Sequence, residues 1–489
     1  MRSIFFKPED SYVGDVIPFF ENGIYYLYFL KDRRPSSLAA DRTDWSLVTT
    51  RDFVEYQYHG TVLANGSAEE PDNSCYTGSV YKNGEHDYHI FYTAQNSRHE
   101  AYQIDGHPVQ TIMHAVSTDL IHWKKCPEQF GSDGVRYSIF DWRDPFVFYN
   151  KKEACYNMLL TARTREGSFR KGGCVLKCRS ENLFDWTIGE PFYAPDRYYA
   201  HECTDLFEWN GWWYLAYSTF TERFATHYRM SRTPEGPWIE GVADTWDARN
   251  CYAIKTAGDG KKRFAFGWIP TRKGERDSGI YQWGGNLCVH ELIQQKDGAL
   301  FAVLPKSILD AFPTRKELFC MNKLGNVRKE DDTYILQAWE KKAGILFEDL
   351  PEECLIEAEL EYDGAVRSFE LTTNNGDDQD DGYFFRFEPF HQRMVFDRWP
   401  RAPLSDDCQQ QHYLGGDIPF LAELERPLRL YNRRTVQVYL LIKDSMMVCY
   451  ANHEAAMSVR VYDLIKNRRW GIFADGGKLK VCRLSLSVP

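Results

Sequence analysis

The amino-acid sequence predicts an all-β protein in which a five-bladed β-propeller is followed by a C-terminal β-sandwich. Three observations lead to this prediction: helical periodicity is nearly absent, a strand–turn–strand pattern recurs five times, and the pattern changes after Pro305. Aromatic residues make up 15% of the chain, and aromatic side chains favour strands. Both parts of the chain are therefore expected to consist of short antiparallel strands.

The recurring element is a short strand, a turn of Gly, Asn, Lys or Asp, and a second strand rich in Tyr, Phe and Trp. A second element trails the first four copies, in which a Ser/Thr turn leads to an aromatic residue about one strand later. Four-stranded units that repeat in this way are typical of propeller blades, so five copies predict five blades. The five copies begin at Gly14, Cys75, Arg143, Glu202 and Trp246.

After the fifth copy, a segment with a proline and a short helical turn is interpreted as a connector, and alternating strands follow it. We predict a propeller over residues 1–308, a linker over residues 309–320 and a β-sandwich over residues 321–489. The acidic run from Asn374 to Gly382 is interpreted as a solvated loop. A calcium-binding loop is the alternative there, although the spacing of its acidic residues fits no EF-hand.

The charge and composition argue against several classes of partner. The chain has 59 basic and 70 acidic residues and a net charge of −11, whereas nucleic-acid-binding proteins usually carry a basic surface. No apolar stretch of about 18 residues could span a bilayer, so we predict no membrane partner. The 13 cysteines show no framework of short spacings, and the first residues lack the apolar segment of a signal peptide. These features predict reduced thiols and a cytoplasmic location, and they leave the oligomeric state open.

Acidic residues stand at the start of three of the five repeats, namely Asp15, Asp144 and Glu202. In a propeller the first strand of each blade lines the central channel, so these side chains are expected to meet at one mouth of the channel. Carboxylates held together in a pocket repel each other, and one of them can remain protonated near neutral pH. A protonated carboxyl beside an ionised one is the arrangement that cleaves glycosidic bonds. A purely structural role in turns is the alternative for Asp15 and Asp144.

Two of these acidic residues lie in motifs that carry a resemblance. The segments WRDPFVF (142–148) and HECTDLF (201–207) resemble the Arg-Asp-Pro and Glu-Cys motifs of glycoside hydrolase family 32. That family contains invertases, levanases, inulinases and other β-fructofuranosidases. The segment from Gly14 to Leu30 resembles the family's opening blade, and RFAFGWI and WGGNLCVHEL resemble its closing blade. The resemblance covers nearly the whole chain, including the C-terminal sandwich.

The resemblance implies a role for each acidic residue. Asp15 corresponds to the nucleophile and Glu202 to the general acid/base. Asp144 would hold ring hydroxyls and stabilise the transition state, with Arg143 beside it.

The resemblance also implies a set of substrate-binding residues. Cys203 would lie against Glu202 and influence its pKa, although a small buried side chain is the alternative. Trp45, Tyr76 and Trp268 would wall the sugar pocket, with a place in the protein core as the alternative for each. No metal ion or cofactor is expected, because HExxH is absent and Cys174 and Cys178 have no second ligand pair.

Two departures from the family pattern bear on the substrate. The family has Asn before the nucleophile and Gln at the end of the next strand, whereas this chain has Gly14 and Leu30. Both lost side chains are amides that bind sugar hydroxyls in the family. The resemblance therefore predicts a divergent member whose pocket is roomier and less polar along one edge.

These features together favour a retaining hydrolase that cleaves terminal furanosides, with β-fructofuranosides of disaccharides or short oligosaccharides as the substrates. Three alternatives remain open from the sequence. One is an inverting enzyme like the propeller arabinofuranosidases and xylosidases, and another is a fructosyltransferase. The third is a carbohydrate-binding protein with an inactive site.

Overall fold

The computed structural model describes residues 1–34, 42–222, 224–348, 350–374, 382–399, 424–431, 433–462 and 468–489. These residues form β-strands almost throughout, which confirms the prediction of an all-β protein. The helices among them are one α-helix, α1 (Lys306–Asp310), and one 3-10 helix (Glu100–Tyr102). None of these described helices is long and apolar enough to cross a membrane. The chain divides into two compact units, described separately below. The N-terminal unit comprises Met1–Thr245, Cys251–Trp268 and Trp283–Leu300, and the C-terminal unit comprises Trp246–Asn250, Ile269–Gln282 and Phe301–Pro489.

In the part of the N-terminal unit that the structure describes, strands that follow each other in the chain pair in antiparallel fashion and form five groups. Group 1 contains β1 (Tyr12–Glu21), β2 (Ile24–Asp32), β3 (Trp45–Thr50) and β4 (Tyr56–Leu63). Group 2 contains β5 (Ser74–Gly84), β6 (Asp87–Gln95), the small hairpin of β7 (Gln103–Ile104) and β8 (His107–Pro108), and then β9 (Gln110–Ser117) and β10 (Lys124–Gly131). Group 3 contains β11 (Tyr137–Asn150), β12 (Cys155–Thr164), β13 (Gly173–Ser180) and β14 (Thr187–Tyr193).

The last two groups are built in the same way. Group 4 contains β15 (Glu202–Trp209), β16 (Trp212–Thr219) and β17 (Ala225–Ser231). Group 5 contains β18 (Tyr252–Gly258), β19 (Arg263–Arg272) and β20 (Tyr281–Gln294), after which β21 (Leu300–Val303) follows. Of these strands, residues 252–268 and 283–300 belong to the N-terminal unit. Strand β20 also pairs with β1 through Gly285 and Val13, so the last group is joined to the first.

The first strand of every group contains a register shift near its beginning. The shifts lie between Val13 and Val16, Tyr76 and Gly78, Arg143 and Phe146, Glu202 and Asp205, and Tyr252 and Lys255. Three residues within these bulges have left-handed backbone, with φ of +57° at Asp144, +54° at Cys203 and +52° at Ala253. A bulge re-aims the side chains next to it, and bulges are common beside active sites. The five groups therefore repeat one local distortion at one place.

The hydrophobic core of the N-terminal unit lies between neighbouring groups. Buried side chains of groups 1 and 2, among them Tyr28, Trp45 and Tyr92, form one cluster. A second cluster joins groups 2 and 3, and a third joins groups 3 and 4. Face-to-face packing of aromatic and aliphatic side chains thus fixes how adjacent groups are placed.

The C-terminal unit contains two antiparallel sheets. The first sheet has the order β24-β25-β36-β27-β32-β33-β34, with β22 also on β36, and the second has the order β23-β26-β35-β28-β29-β30-β31. One hydrophobic cluster takes residues from both sheets, including Leu360 and Val438 from the first and Phe385 and Ile472 from the second. The strands of the first sheet are β22 (Thr314–Lys316), β24 (Asn326–Glu330), β25 (Thr333–Gln337), β27 (Glu353–Tyr362), β32 (Thr435–Lys443), β33 (Met446–Ala451), β34 (Ala455–Arg460) and β36 (Lys478–Val488). Those of the second are β23 (Cys320–Leu324), β26 (Ala343–Phe347), β28 (Ser368–Thr373), β29 (Gly382–Glu388), β30 (Arg393–Trp399), β31 (Leu424–Pro427) and β35 (Trp470–Asp475).

Three expectations from the sequence concern the linker, the acidic run and the cysteines. Strand β22 lies inside the segment predicted as a linker, and it pairs with residues 486–488 of β36. The acidic run lies largely outside the described residues, because residues 375–381 are not among them. None of the twelve cysteines in the described part of the chain forms a disulfide.

Strands β5 and β6 approach each other closely at Gly78. A Cβ atom at this position would lie 1.9 Å from the backbone carbonyl oxygen of Phe91, so the two strands would have to separate. We expect Gly78→Ala to lower the free energy of unfolding by about 1–3 kcal/mol or more. The matched control is Gly131→Ala, where the nearest atom to a Cβ is 3.9 Å away. Denaturant unfolding of both variants measures the difference, and equal stabilities would contradict the expected strain.

Candidate active site

Asp15 lies in the bulge of β1, and its carboxylate receives hydrogen bonds from residues of three other strand groups. Thr77 Oγ1 of group 2 donates to Oδ2 at 2.6 Å, and Trp268 Nε1 of group 5 donates to Oδ1 at 3.0 Å. The thiol of Cys203 in group 4 lies 3.7 Å from Oδ2. One carboxylate therefore joins strands of four groups that are far apart in sequence.

Asp144 lies in the bulge of β11 and is buried. Its Oδ2 accepts from the backbone N–H of Cys203 at 2.9 Å and from Thr161 Oγ1 at 3.3 Å. Its own backbone N–H donates to Thr93 Oγ1 at 2.8 Å. Since Cys203 contacts Asp144 through its backbone and Asp15 through its thiol, this residue holds the two carboxylates next to each other.

Glu202 precedes the bulge of β15 and is held from two sides. Its Oε1 accepts from Arg143 Nε at 3.2 Å and from Arg143 Nη2 at 3.0 Å. Its Oε2 accepts from the hydroxyl of Tyr252 at 2.8 Å. The carboxyl group is thus oriented by one charged and one neutral donor.

Arg143 is itself fixed by neighbours in groups 2 and 3. Its Nη1 donates to Asp141 Oδ1 at 2.9 Å and to Gln110 Oε1 at 3.3 Å. Asp141 also accepts from Arg163 Nε at 2.8 Å. The guanidinium of Arg143 is therefore shared among three acidic residues, Glu202, Asp141 and Asp144, which limits how strongly it stabilises the ionised form of Glu202.

Burial changes the pKa values of Asp15 and Glu202. It raises the pKa of Asp15 to about 6, with the charge of Asp144 acting in the same direction and the bond from Thr77 opposing it. It raises the pKa of Glu202 to about 7, against the lowering effect of Arg143. Burial also raises the pKa of the Cys203 thiol well above its usual range, so the thiol stays protonated and can donate. Near pH 6–7 the site favours an ionised Asp15 beside a protonated Glu202.

A comparison of the sequence with known families identifies the chain. The sequence profile described as "Glycosyl hydrolases family 32 N-terminal domain" matches residues 5–302, which is more than half of the chain. The chain belongs to glycosyl hydrolase family 32. It is a glycoside hydrolase.

Solved structures of family 32 share the fold. The fructan 1-exohydrolase IIa of Cichorium intybus has a TM-score of 0.72 at 14% identity, with 99% of this chain and 96% of that chain covered. The exo-inulinase of Aspergillus awamori has a TM-score of 0.70 at 14% identity, with coverage of 99% and 96%. The sucrose-6-phosphate hydrolase of Lactobacillus gasseri has a TM-score of 0.68 at 17% identity, with coverage of 98% and 92%. No curated protein matches by sequence.

The three aromatic residues expected to wall the sugar pocket lie in different places. Trp268 is almost fully buried and binds Asp15, while Tyr76 is half-buried beside Thr77. Trp45 has no exposed surface, and its Nε1 donates to the backbone carbonyl of Tyr76 at 3.0 Å. The expectation for Trp45 is therefore corrected to its alternative: a side chain enclosed in the core between groups 1 and 2 cannot form a pocket wall, although it supports Tyr76.

The edge beside Gly14 is less open than the sequence predicted. A Cβ atom at Gly14 would lie 2.1 Å from Cη2 of Trp283, so the indole ring occupies the space that a side chain at residue 14 would need. Trp283 is half-buried, and its ring centroid lies 5.9 Å from that of Trp268. Leu30 is buried in the core. The expectation of a roomier edge is therefore corrected, because an indole fills the space, while the expectation of a less polar edge stays a prediction.

Sequence reasoning missed several residues that hold the acids. Thr77 and Tyr252 occupy the bulge region in groups 2 and 5, as Asp15 and Glu202 do in groups 1 and 4. Aligning the five repeats on the acidic positions would have found both. Gln110 lies on β9, which is not the first strand of its group, so an alignment of the repeats does not mark it.

The paired pKa values predict how activity depends on pH. If Asp15 must be ionised and Glu202 protonated, kcat/KM should be bell-shaped with its maximum near pH 6–7. Tyr252→Phe removes a bond that favours ionised Glu202, so the alkaline limb should move to higher pH by about half a unit to one unit. Tyr149→Phe, a change at an exposed tyrosine, is the control. An alkaline limb that stays in place or moves to lower pH would contradict the role of Tyr252.

Proposed function

We propose that the protein is a retaining hydrolase that removes terminal β-fructofuranosyl residues from disaccharides and short oligosaccharides. The observation that carries the proposal is the pairing of Asp15, with a pKa of about 6, and Glu202, with a pKa of about 7, around the shared neighbours Cys203 and Asp144. Retaining glycosidases need one ionised and one protonated carboxyl group on the two sides of the scissile bond.

The proposed reaction has two steps. The carboxylate of Asp15 attacks the anomeric carbon while Glu202 donates its proton to the glycosidic oxygen, and the leaving group departs as an alcohol. Glu202, now ionised, then removes a proton from a water molecule, whose oxygen bonds to the anomeric carbon as the bond from that carbon to Asp15 breaks. Arg143 and Tyr252 stabilise Glu202 in its ionised form between the steps, because both donate to its oxygens.

The sheet arrangement supports a propeller as the scaffold of this site. We infer that the five strand groups are five blades, because each group is antiparallel and β20 joins group 5 to group 1. Under this inference the five bulges lie at one end of the central channel, where a terminal sugar would enter. The two sheets with a shared core in the C-terminal unit are then the β-sandwich.

The choice of substrate rests on the relatives and on the composition. Structures in the family are described in complex with sucrose, with 1-kestose and with fructosyl-erythritol. All three ligands are small, and two of the similar proteins are named as exo-acting enzymes. A cytoplasmic location, which we propose from the reduced thiols, would also limit the substrate to imported short sugars.

Removal of each acid should separate the two roles. We expect Asp15→Ala and Glu202→Ala each to lower kcat by several orders of magnitude with the fold intact. Glu202→Ala should lose least on an aryl fructofuranoside whose leaving group needs no proton. Glu85→Ala, at an exposed turn, should leave kcat unchanged. NMR of the first product should show retention at the anomeric carbon, whereas inversion would favour the arabinofuranosidase-like alternative.

The packing of Trp283 on Gly14 should control specificity. We expect kcat/KM for sucrose to be lower than for the best substrate in a panel of fructosides, because the amide that binds a sugar hydroxyl in the family is absent. The double variant Gly14→Asn/Trp283→Ala makes room for that amide, and it should raise the relative preference for sucrose by about fivefold or more. Gly14→Asn alone should instead destabilise the protein, because it collides with the indole. Sucrose as the best wild-type substrate by tenfold would refute this account while leaving the acids in place.

A further inference from the structure

Three side chains in group 5 form a buried cluster that the catalytic chemistry does not use. They are Cys251, Cys288 and His290, and each exposes 1% of its surface or less. One donor atom from each, two thiol sulfurs and one imidazole nitrogen, lies within 4.8 Å of the others. Cys288 Sγ is 3.6 Å from His290 Nε2. All three residues belong to the N-terminal unit.

The spacing agrees with the geometry of a zinc site. Zn–S bonds are about 2.3 Å and Zn–N bonds about 2.0–2.1 Å, so a tetrahedral ion separates a sulfur and a nitrogen by about 3.6 Å. The distance between Cys288 and His290 has this value. Two thiolates and an imidazole are ligands that zinc prefers, whereas calcium and magnesium prefer oxygen.

The backbone places the three residues for a common ligand. Cys288 and His290 are two residues apart on β20, so their side chains leave the same face of the strand. Cys251 comes directly before β18, and β19 lies between these two strands in the sheet. Gly267 on β19 makes room for the thiol, because a Cβ atom there would lie 2.9 Å from Cys251 Sγ.

We propose that Cys251, Cys288 and His290 bind a zinc ion that braces group 5 behind the active site. The residues supply three of the four ligands of a tetrahedral ion, and binding releases the two thiol protons to solvent. The alternative is that the cysteines act only as small apolar side chains. Under that alternative the contact between the Cys288 thiol and His290 Nε2 is a hydrogen bond without a metal, and the metal content of the protein separates the two cases.

The zinc ion would fix the positions of two residues of the candidate active site. Tyr252 follows Cys251 and donates to Glu202, and Trp268 follows Gly267 and donates to Asp15. Fixing β18 and β20 on either side of β19 would hold both donors in place. The ion would thus position the tyrosine and the indole without contacting substrate.

Metal content tests the proposal directly. The protein is expressed in zinc-supplemented medium and purified without a metal-affinity step. Its metal content is then measured by inductively coupled plasma mass spectrometry. We expect about one equivalent of zinc per chain in the wild type. Cys288→Ser and His290→Asn should each lower this at least tenfold, whereas Cys449→Ser, at a buried cysteine of the C-terminal unit, should not. Wild-type protein without zinc, or variants with unchanged zinc, would overturn the proposal.

A second measurement needs no variant and so does not depend on their folding. The wild-type protein is stripped with a chelator and titrated with Co²⁺, and the absorption spectrum is recorded. We expect a thiolate-to-cobalt charge-transfer band that saturates at about one equivalent and is lost on addition of Zn²⁺. Removal of the metal should also lower Tm, because the strands lose their link. No charge-transfer band would overturn the proposal, and an active protein without the ion would leave the catalytic assignment untouched.

Discussion

The candidate active site depends on a backbone constraint, the left-handed conformation of Asp144 and Cys203 in equivalent bulges. Each such residue costs about 1–3 kcal/mol relative to ordinary strand backbone, and packing of the neighbouring strands must offset that cost. In return, the N–H of Cys203 points at the carboxylate of Asp144 instead of joining a strand ladder. The same bulge directs the Cys203 thiol to Asp15. Without the bulges, strand pairing would use these backbone groups and the acids would face different directions.

The electrostatic balance follows from this geometry. Burial raises the pKa of both Asp15 and Glu202, and the neighbouring donors counteract it to different degrees. Asp15 has two neutral hydrogen-bond donors and a thiol, while Glu202 has a guanidinium whose charge is shared with Asp141. The pKa of Asp15 is therefore raised to about 6 and that of Glu202 to about 7, so Asp15 ionises more readily than Glu202.

The replacement of an amide by glycine illustrates how a local sequence change acts through a distant residue. Gly14 by itself suggests an open pocket edge, yet Trp283 fills the space from another strand group. The glycine is required there because any Cβ atom would overlap the indole. The space at this edge is consequently set by Gly14 and Trp283 together.

The sequence by itself determined the all-β class, the repeats and the three acidic residues, because strand periodicity, turn residues and recurring acids are local patterns. It also led to the family, through motifs around Asp144 and Glu202. Only the tertiary structure decided that Trp45 is enclosed in the core while Trp268 reaches Asp15, since both are aromatic residues in similar strand contexts. It likewise brought Tyr252 to Glu202 across 50 residues of chain. Such contacts depend on how separate strand groups pack, which is a long-range property that no local pattern encodes.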